Sequence, residues 1–150
     1  MAIEKTLILI KPDGIQRRLT GLALDRVMST GLELIAAKVV SVSEKLAKEH
    51  YREHEGKPFF ESLIKFIRGE YHDIPRNRVF AFVIKGEDAI AQVRRIAGAT
   101  NPDKAEPGTI RGSFGRNRGE LMENIIHASA HAADAEREIK LWFKPEEVIE

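Results

Sequence analysis

This chain of 150 residues has no cysteine, so neither a disulfide framework nor a thiolate metal site is available to it. Nor does it lean to one sign of charge. Its 24 Lys and Arg face 23 Asp and Glu, which leaves no broad field to recruit nucleic acid or a membrane surface. An anionic ligand would have to be held by a local cluster of cations instead. No apolar run approaches membrane-spanning length, and Met1-Ala2-Ile3-Glu4-Lys5 lacks a signal-peptide layout, so the expected location is cytoplasmic. Internal repeats, linkers and low-complexity segments are missing as well. No Gly-x-x-x-x-Gly-Lys-Ser/Thr motif occurs, which excludes the P-loop route to phosphoryl transfer. What remains, with 43% hydrophobic and 31% charged residues, is an ordinary globule, expected to form one domain over residues 1–150.

Thr6-Leu7-Ile8-Leu9-Ile10 is a continuous apolar run and reads as a buried strand, ended by a tight turn at Lys11-Pro12-Asp13-Gly14. A helix is expected from a Thr20 cap through Thr30, with Leu22, Leu24, Val27 and Met28 on or near its inner face. Leu32 to Val42 reads as a second strand, and Ser43 opens a helix to about His54. A helix over Phe59 to Ile67, a strand over Val79 to Ile84 and a helix over Glu87 to Ala97 follow. Gly98 to about Glu123 reads as a long functional loop, Ile125-Ile126 as a short fourth strand, and Ala132 to Ile139 as the last helix. This order suits an α+β, ferredoxin-like plan (βαββαβ): a four-stranded antiparallel sheet with helices on one face.

Glu123-Asn124-Ile125-Ile126-His127-Ala128-Ser129 sets a lone imidazole just after a short apolar run. Neutral imidazole is a good nucleophile near pH 7 when a partner holds its other nitrogen. Three further motifs accompany it: Lys11-Pro12-Asp13-Gly14 after the first strand, Tyr51 ahead of Lys57-Pro58-Phe59-Phe60, and Thr100-Asn101-Pro102 ahead of Pro107-Gly108-Thr109-Ile110-Arg111-Gly112-Ser113-Phe114. As an ordered set, from about Lys5 to Pro145, they closely resemble the nucleoside diphosphate kinase family.

The resemblance implies the same ferredoxin-like fold and a ping-pong transfer of the γ-phosphate of a nucleoside triphosphate such as ATP to a nucleoside diphosphate. His127 matches the phosphate-accepting nucleophile and Glu138 the carboxylate that holds its other nitrogen. Lys11, Arg94 and Arg111 match the phosphate-binding cations, Thr100 and Tyr51 the hydroxyl donors, and Asn124 the contact to the sugar. Phe59 matches the aromatic that stacks on the base, with Leu63 one turn later; Phe60 is expected in the core. Ser129 is counted with the nucleotide-binding residues. Stacking reads a π-face, which suits acceptance of purines and pyrimidines alike. Mg2+ is the implied cofactor, held through nucleotide phosphates and not by protein ligands. The family assembles as hexamers or tetramers, and the tail Leu141 to Glu147 resembles hexameric members. No membrane and no dedicated nucleic-acid partner is expected.

The chain departs from the family pattern in places. Where the family reads His-Gly-Ser-Asp-Ser, this chain has His127-Ala128-Ser129-Ala130-His131, losing an acid and adding an imidazole at the next helix start. Gly69 to Arg78 and Gly115 to Met122 are both longer than the family's connections. Arg95, Arg116 and Arg118 read as solvated surface positions. These departures motivate one alternative, a non-catalytic nucleotide-binding member that acts through assembly. A ferredoxin-like nucleic-acid binder would need exposed strand aromatics on a basic face, but Phe80 and Phe82 lie in an apolar run.

Overall fold

The computed structural model describes residues 2–150. Strand β1 (Ile3–Ile10) leads into two helices, α1 (Pro12–Gln16) and α2 (Thr20–Met28), then β2 (Glu33–Ser41). Helices α3 (Glu44–His50) and α4 (Phe60–Ile67) precede β3 (Arg78–Glu87) and α5 (Ala89–Ala97). A short α6 (Ile110–Phe114), a hairpin of β4 (Arg116–Arg118) and β5 (Leu121–Glu123), the strand β6 (Ile126–Ala128) and α7 (Ala132–Trp142) complete the chain. The main sheet has the order β2-β3-β1-β6, antiparallel throughout, which is the ferredoxin-like arrangement.

Helices cover both faces of this sheet, not one. The continuous apolar run of β1 is the reason: a strand with no polar face must be buried on both sides. Leu7 and Leu9 pack with Ile35, Ala47, Ile64 and Trp142, under α3, α4 and α7. Ile8 and Ile10 point the other way, packing with Ala23, Val27, Val93 and Ala97 under α2 and α5.

Local chemistry shifts several boundaries. The expected turn at Lys11–Gly14 is the first turn of α1, because Pro12 sits at its first position, where a missing N–H costs nothing. Gly14 suits the close approach there: a Cβ would lie 3.0 Å from Ile125 Cγ2 and 3.1 Å from the Ile125 carbonyl oxygen, so Ile125 would have to give by a few tenths of an ångström. Thr20 lies inside α2, capped by Leu19 without a side-chain bond, and Ala23 with Val27 forms the buried stripe of that helix. Ser43 does cap α3, accepting from the Leu46 N–H at 3.0 Å, but the helix stops at His50. The long loop after Gly98 is partly ordered as α6, capped by Thr109, and as the β4–β5 hairpin. The fourth strand begins one residue later than expected, since Ile125 has φ +71.

Candidate active site

β6 pairs with the middle of the sheet so that His127 lies opposite Leu9. Alternation along the strand sends His127 toward α3 and α7, and Ile126 with Ala128 toward α5. Just upstream, the Ile126 N–H donates to the Asn124 carbonyl at 2.7 Å around Ile125, closing a tight three-residue turn. With φ positive at a β-branched residue this is the rarer, strained form of that turn. It is held from the side of α1: Asp13 Oδ2 accepts the Ile125 N–H at 2.8 Å, and the Lys11 N–H donates to the Ile125 carbonyl at 2.8 Å. The kink turns Asn124 and His127 into one cleft.

Glu138 sits in the buried stripe of α7 with Ala135 and Trp142, not on a solvated face. Its Oε1 lies 2.8 Å from His127 Nε2 and 2.9 Å from Ser129 Oγ. Burial pushes this carboxyl up, but the hydrogen bonds from His127 and Ser129 and the nearby charge of Arg137 outweigh it and leave the pKa lowered. An ionised carboxylate can only accept, so Nε2 carries the proton and Nδ1 keeps its lone pair. Ser129 is fully buried, receives the Leu7 N–H at 3.1 Å and donates to Glu138. It therefore stands behind the imidazole and is not on the cleft wall, contrary to its grouping with nucleotide-binding residues.

His50, which sequence reasoning left unassigned, packs edge-on against His127 with ring centroids 4.6 Å apart. Trp142 Nε1 donates to its Nδ1 at 3.1 Å. Burial, helped by His127, Arg137 and Lys11, drives its pKa well down, so a neutral ring lies beside the nucleophile candidate. His50, His127 and Glu138 bring potential metal-ligand atoms within 4.8 Å of one another, and His127 Nε2, Glu138 Oε1 and His50 Nδ1 are each in a hydrogen bond.

In front of His127 opens a cleft of about 450 Å³. Lys11, Arg94 and Arg111 line it, together with Tyr51, Thr100 and Asn124. Phe59 and Leu63 line it as well. Lys11 Nζ donates to Asn124 Oδ1 at 2.9 Å and lies 4.8 Å from the centre of the Phe66 ring. Burial, with help from Arg111 and against Asp13, lowers its pKa to about 8. Arg111 is buried, with three donors committed to carbonyls: Nε to Asn124 at 3.3 Å, Nη1 to Gly98 at 2.9 Å and Nη2 to Ile126 at 2.6 Å. Its other N–H groups are left for a ligand. Loss of water around the Tyr51 hydroxyl, reinforced by Glu138 and Asp13, raises its pKa, so it remains a donor. Asn124 Nδ2 donates to the Thr100 carbonyl at 3.0 Å. Phe59 is 46% exposed while Phe60 is buried, so the two neighbouring rings divide between cleft and core.

The hairpin adds walls that sequence reasoning did not name: Glu120, Leu121 and Met122 line the same cleft. Arg116 and Arg118 are exposed, as expected, and both also reach buried Glu123, at 2.8 and 3.5 Å. Arg95 is exposed as expected. The cleft thus gathers cations, hydroxyl donors and a partly exposed aromatic ring on the walls that also carry the His127 imidazole.

The family model described as nucleoside diphosphate kinase matches residues 4–148. A curated nucleoside diphosphate kinase of Bacillus licheniformis is 51% identical over 99% of this chain and 93% of its own length. One from Pyrococcus furiosus is 45% identical over 99% and 88%. Among solved structures, the Halobacterium salinarum enzyme in complex with CDP superposes with a TM-score of 0.87 at 42% identity, covering 99% of this chain and 93% of that one. The Borrelia burgdorferi enzyme with bound vanadate and ADP, a transition-state mimic, gives 0.86 at 41%, covering 99% and 91%. Fold, cleft chemistry and these matches over nearly the full length agree, and the chain belongs to the nucleoside diphosphate kinase family.

Proposed function

We propose that this protein moves the γ-phosphate of ATP, or another nucleoside triphosphate, to a nucleoside diphosphate through a phosphohistidine at His127. The observation that carries this is the Ser129–Glu138–His127 chain, which leaves Nδ1 unprotonated and facing a cleft lined by cations. Nδ1 attacks the terminal phosphorus, the nucleoside diphosphate leaves with the bridging oxygen, and a second diphosphate takes the phosphoryl group in the reverse step. Lys11, Arg94 and Arg111 balance the charge on the transferring oxygens, with Tyr51 and Thr100 as hydroxyl donors. Asn124 serves the sugar, Phe59 and Leu63 the base. The Halobacterium complex with CDP and the Borrelia complex with ADP support nucleotides as ligands.

A divalent cation, Mg2+ in this reading, would shield the β- and γ-phosphates. Glu120, at the rim, is the single acid on the cleft walls among the described residues, which suits a cation that enters on the nucleotide better than one caged by protein. The chain is read as one working domain, since strand β1 serves both cores and the family match spans 4–148. No helix among the described residues is long and apolar enough to cross a membrane, and a cytoplasmic site is proposed with it. Assembly is proposed as a homohexamer, with a tetramer as the second option. The apolar Leu34 and Val39, exposed on the edge strand β2, support pairing of that edge between copies. A single-chain mass in light scattering would exclude both assemblies.

Incubation with γ-labelled ATP tests the reaction: label stays on the protein, is lost in acid, survives alkali, and is chased by added diphosphate. Absence of labelled protein from an active enzyme would exclude the covalent route. A second consequence concerns pH. Lys11 must be charged to bind phosphate, and its cationic form is populated below its pKa of about 8. kcat/KM for nucleotides, which reports ionisations of the free enzyme, is therefore expected to fall as pH rises through about 8. Lys11→Gln removes that limb along with most of the activity; a flat wild-type profile from neutrality to well above the Lys11 pKa would contradict the assignment.

A further inference from the structure

His72 comes from the connection between α4 and β3, and Glu123 ends the β4–β5 hairpin. Both side chains are fully withdrawn from solvent, with His72 Nε2 3.0 Å from Glu123 Oε2. Burial would raise the Glu123 pKa, but the bonds from His72 and Arg116 and the charges of Arg116 and Arg118 outweigh it and hold the carboxyl below its ordinary value. The carboxylate can only accept, so His72 Nε2 is the donor. The mechanism above uses neither residue. Taking such a pair out of water gains little stability, and the best-attested use of buried ionic contacts is to fix one arrangement over others.

The pair reaches the cleft by two paths. On the hairpin side, Glu123 closes β5, and the two residues before it, Leu121 and Met122, line the cleft. Asn124 follows directly, its Nδ2 3.8 Å from Met122 Sδ and its Oδ1 holding Lys11. On the other side, His72 meets the Phe66 ring edge-on at 5.1 Å, and the same ring carries Lys11 Nζ. The His72 carbonyl also accepts from Gln16 of α1 at 3.1 Å. Asp73, Arg76 and Asn77 in this connection have φ of 52, 58 and 53, a shape non-glycine residues hold only when their surroundings impose it.

We propose that the buried His72–Glu123 contact is a positioning pair for nucleotide binding: it locks the connection before β3 to the hairpin, and so sets the Leu121–Met122 wall and Asn124 against the base and sugar. The proposal rests on reading the cleft as the nucleotide site, and labelling of the unmodified protein by ATP tests that reading separately. Two polar variants test the pair. The amide of His72→Gln can stand where Nε2 stands, whereas that of His72→Asn falls short of Glu123. His72→Asn is expected to raise KM for a nucleoside diphosphate about tenfold with kcat changed less than about threefold, the signature of lost binding contacts. It also lowers, about tenfold, the ratio of kcat/KM for ATP to that for phosphoramidate, a phosphodonor with neither base nor sugar. His72→Gln is expected to recover most of both. An unchanged KM in His72→Asn overturns the proposal, as does a parallel loss with ATP and phosphoramidate, which marks a merely structural role. Should His72→Asn fail to fold, Glu123→Gln replaces it under the same readings.

Discussion

Replacing His127 with Asn is expected to leave no acid-labile phosphate on the protein after exposure to labelled ATP and to lower turnover by several orders of magnitude, the scale on which a lost nucleophile registers. The geometry that makes this residue reactive also limits the structural damage. Glu138 is buried and its Oε1 accepts from His127 at 2.8 Å and Ser129 at 2.9 Å. The shorter amide of Asn at 127 falls short of that carboxylate, which keeps its bond from Ser129, so the stability loss should be that of one lost bond to a buried group, about 1–3 kcal/mol. His131 supplies the control. It is exposed at the N-cap of α7, four residues on, and makes no cap bond. Label retained at the level of the unmodified protein in His127→Asn, and lost only when His131 is also replaced, would transfer the nucleophile's role to His131.

Arg111→Ala carries the second large effect, and it acts twice. Loss of a charged phosphate donor alone should cut kcat/KM at least roughly tenfold, since such a contact is worth about 1.5–3 kcal/mol. In addition, the carbonyls of Gly98 and Ile126 lose the Arg111 donor, while that of Asn124 keeps the Ile126 N–H. Leaving buried acceptors unpaired costs about 1–3 kcal/mol each, so stability should fall by roughly 2 kcal/mol or more, and Tm by about 4–8 °C for a domain of this size. Burial lowers the guanidinium pKa only to about 10, so the charge is present throughout the neutral range. Arg111→Lys keeps the charge but not the fork and should recover part of the activity with little of the stability. Thermal melting beside steady-state kinetics separates the two; an Arg111→Ala protein as stable as the parent would show that the carbonyls find other donors.

Much of the site is legible in residue order because its chemistry sits on short segments with strict local demands. Lys11 precedes a proline that starts a helix, Asn124 and His127 flank a strained turn, and Phe59 lies just outside a helix whose next residue is core. Ser129 was misplaced because a hydroxyl two residues beyond the nucleophile can serve ligand or protein equally, and alternation along a chain does not say which. The pairing of Arg116 and Arg118, both on the surface as expected, was not legible because their buried partner, Glu123, looks in sequence like one more surface acid. Glu138 in the stripe Ala135–Glu138–Trp142 was a readable signal: a lone carboxylate on a buried helical face needs a partner.

The sequence by itself determined the family and the ferredoxin-like plan, since an ordered set of motifs and the alternation of apolar runs with helices are written in one dimension. The two-sided burial of the sheet, the His50–Trp142 support of the nucleophile and the junction of His72 with Glu123 were decided only by tertiary structure. Residues 51 positions apart meet there because packing excludes water around both, and the worth of a buried polar group depends on which partner the fold delivers.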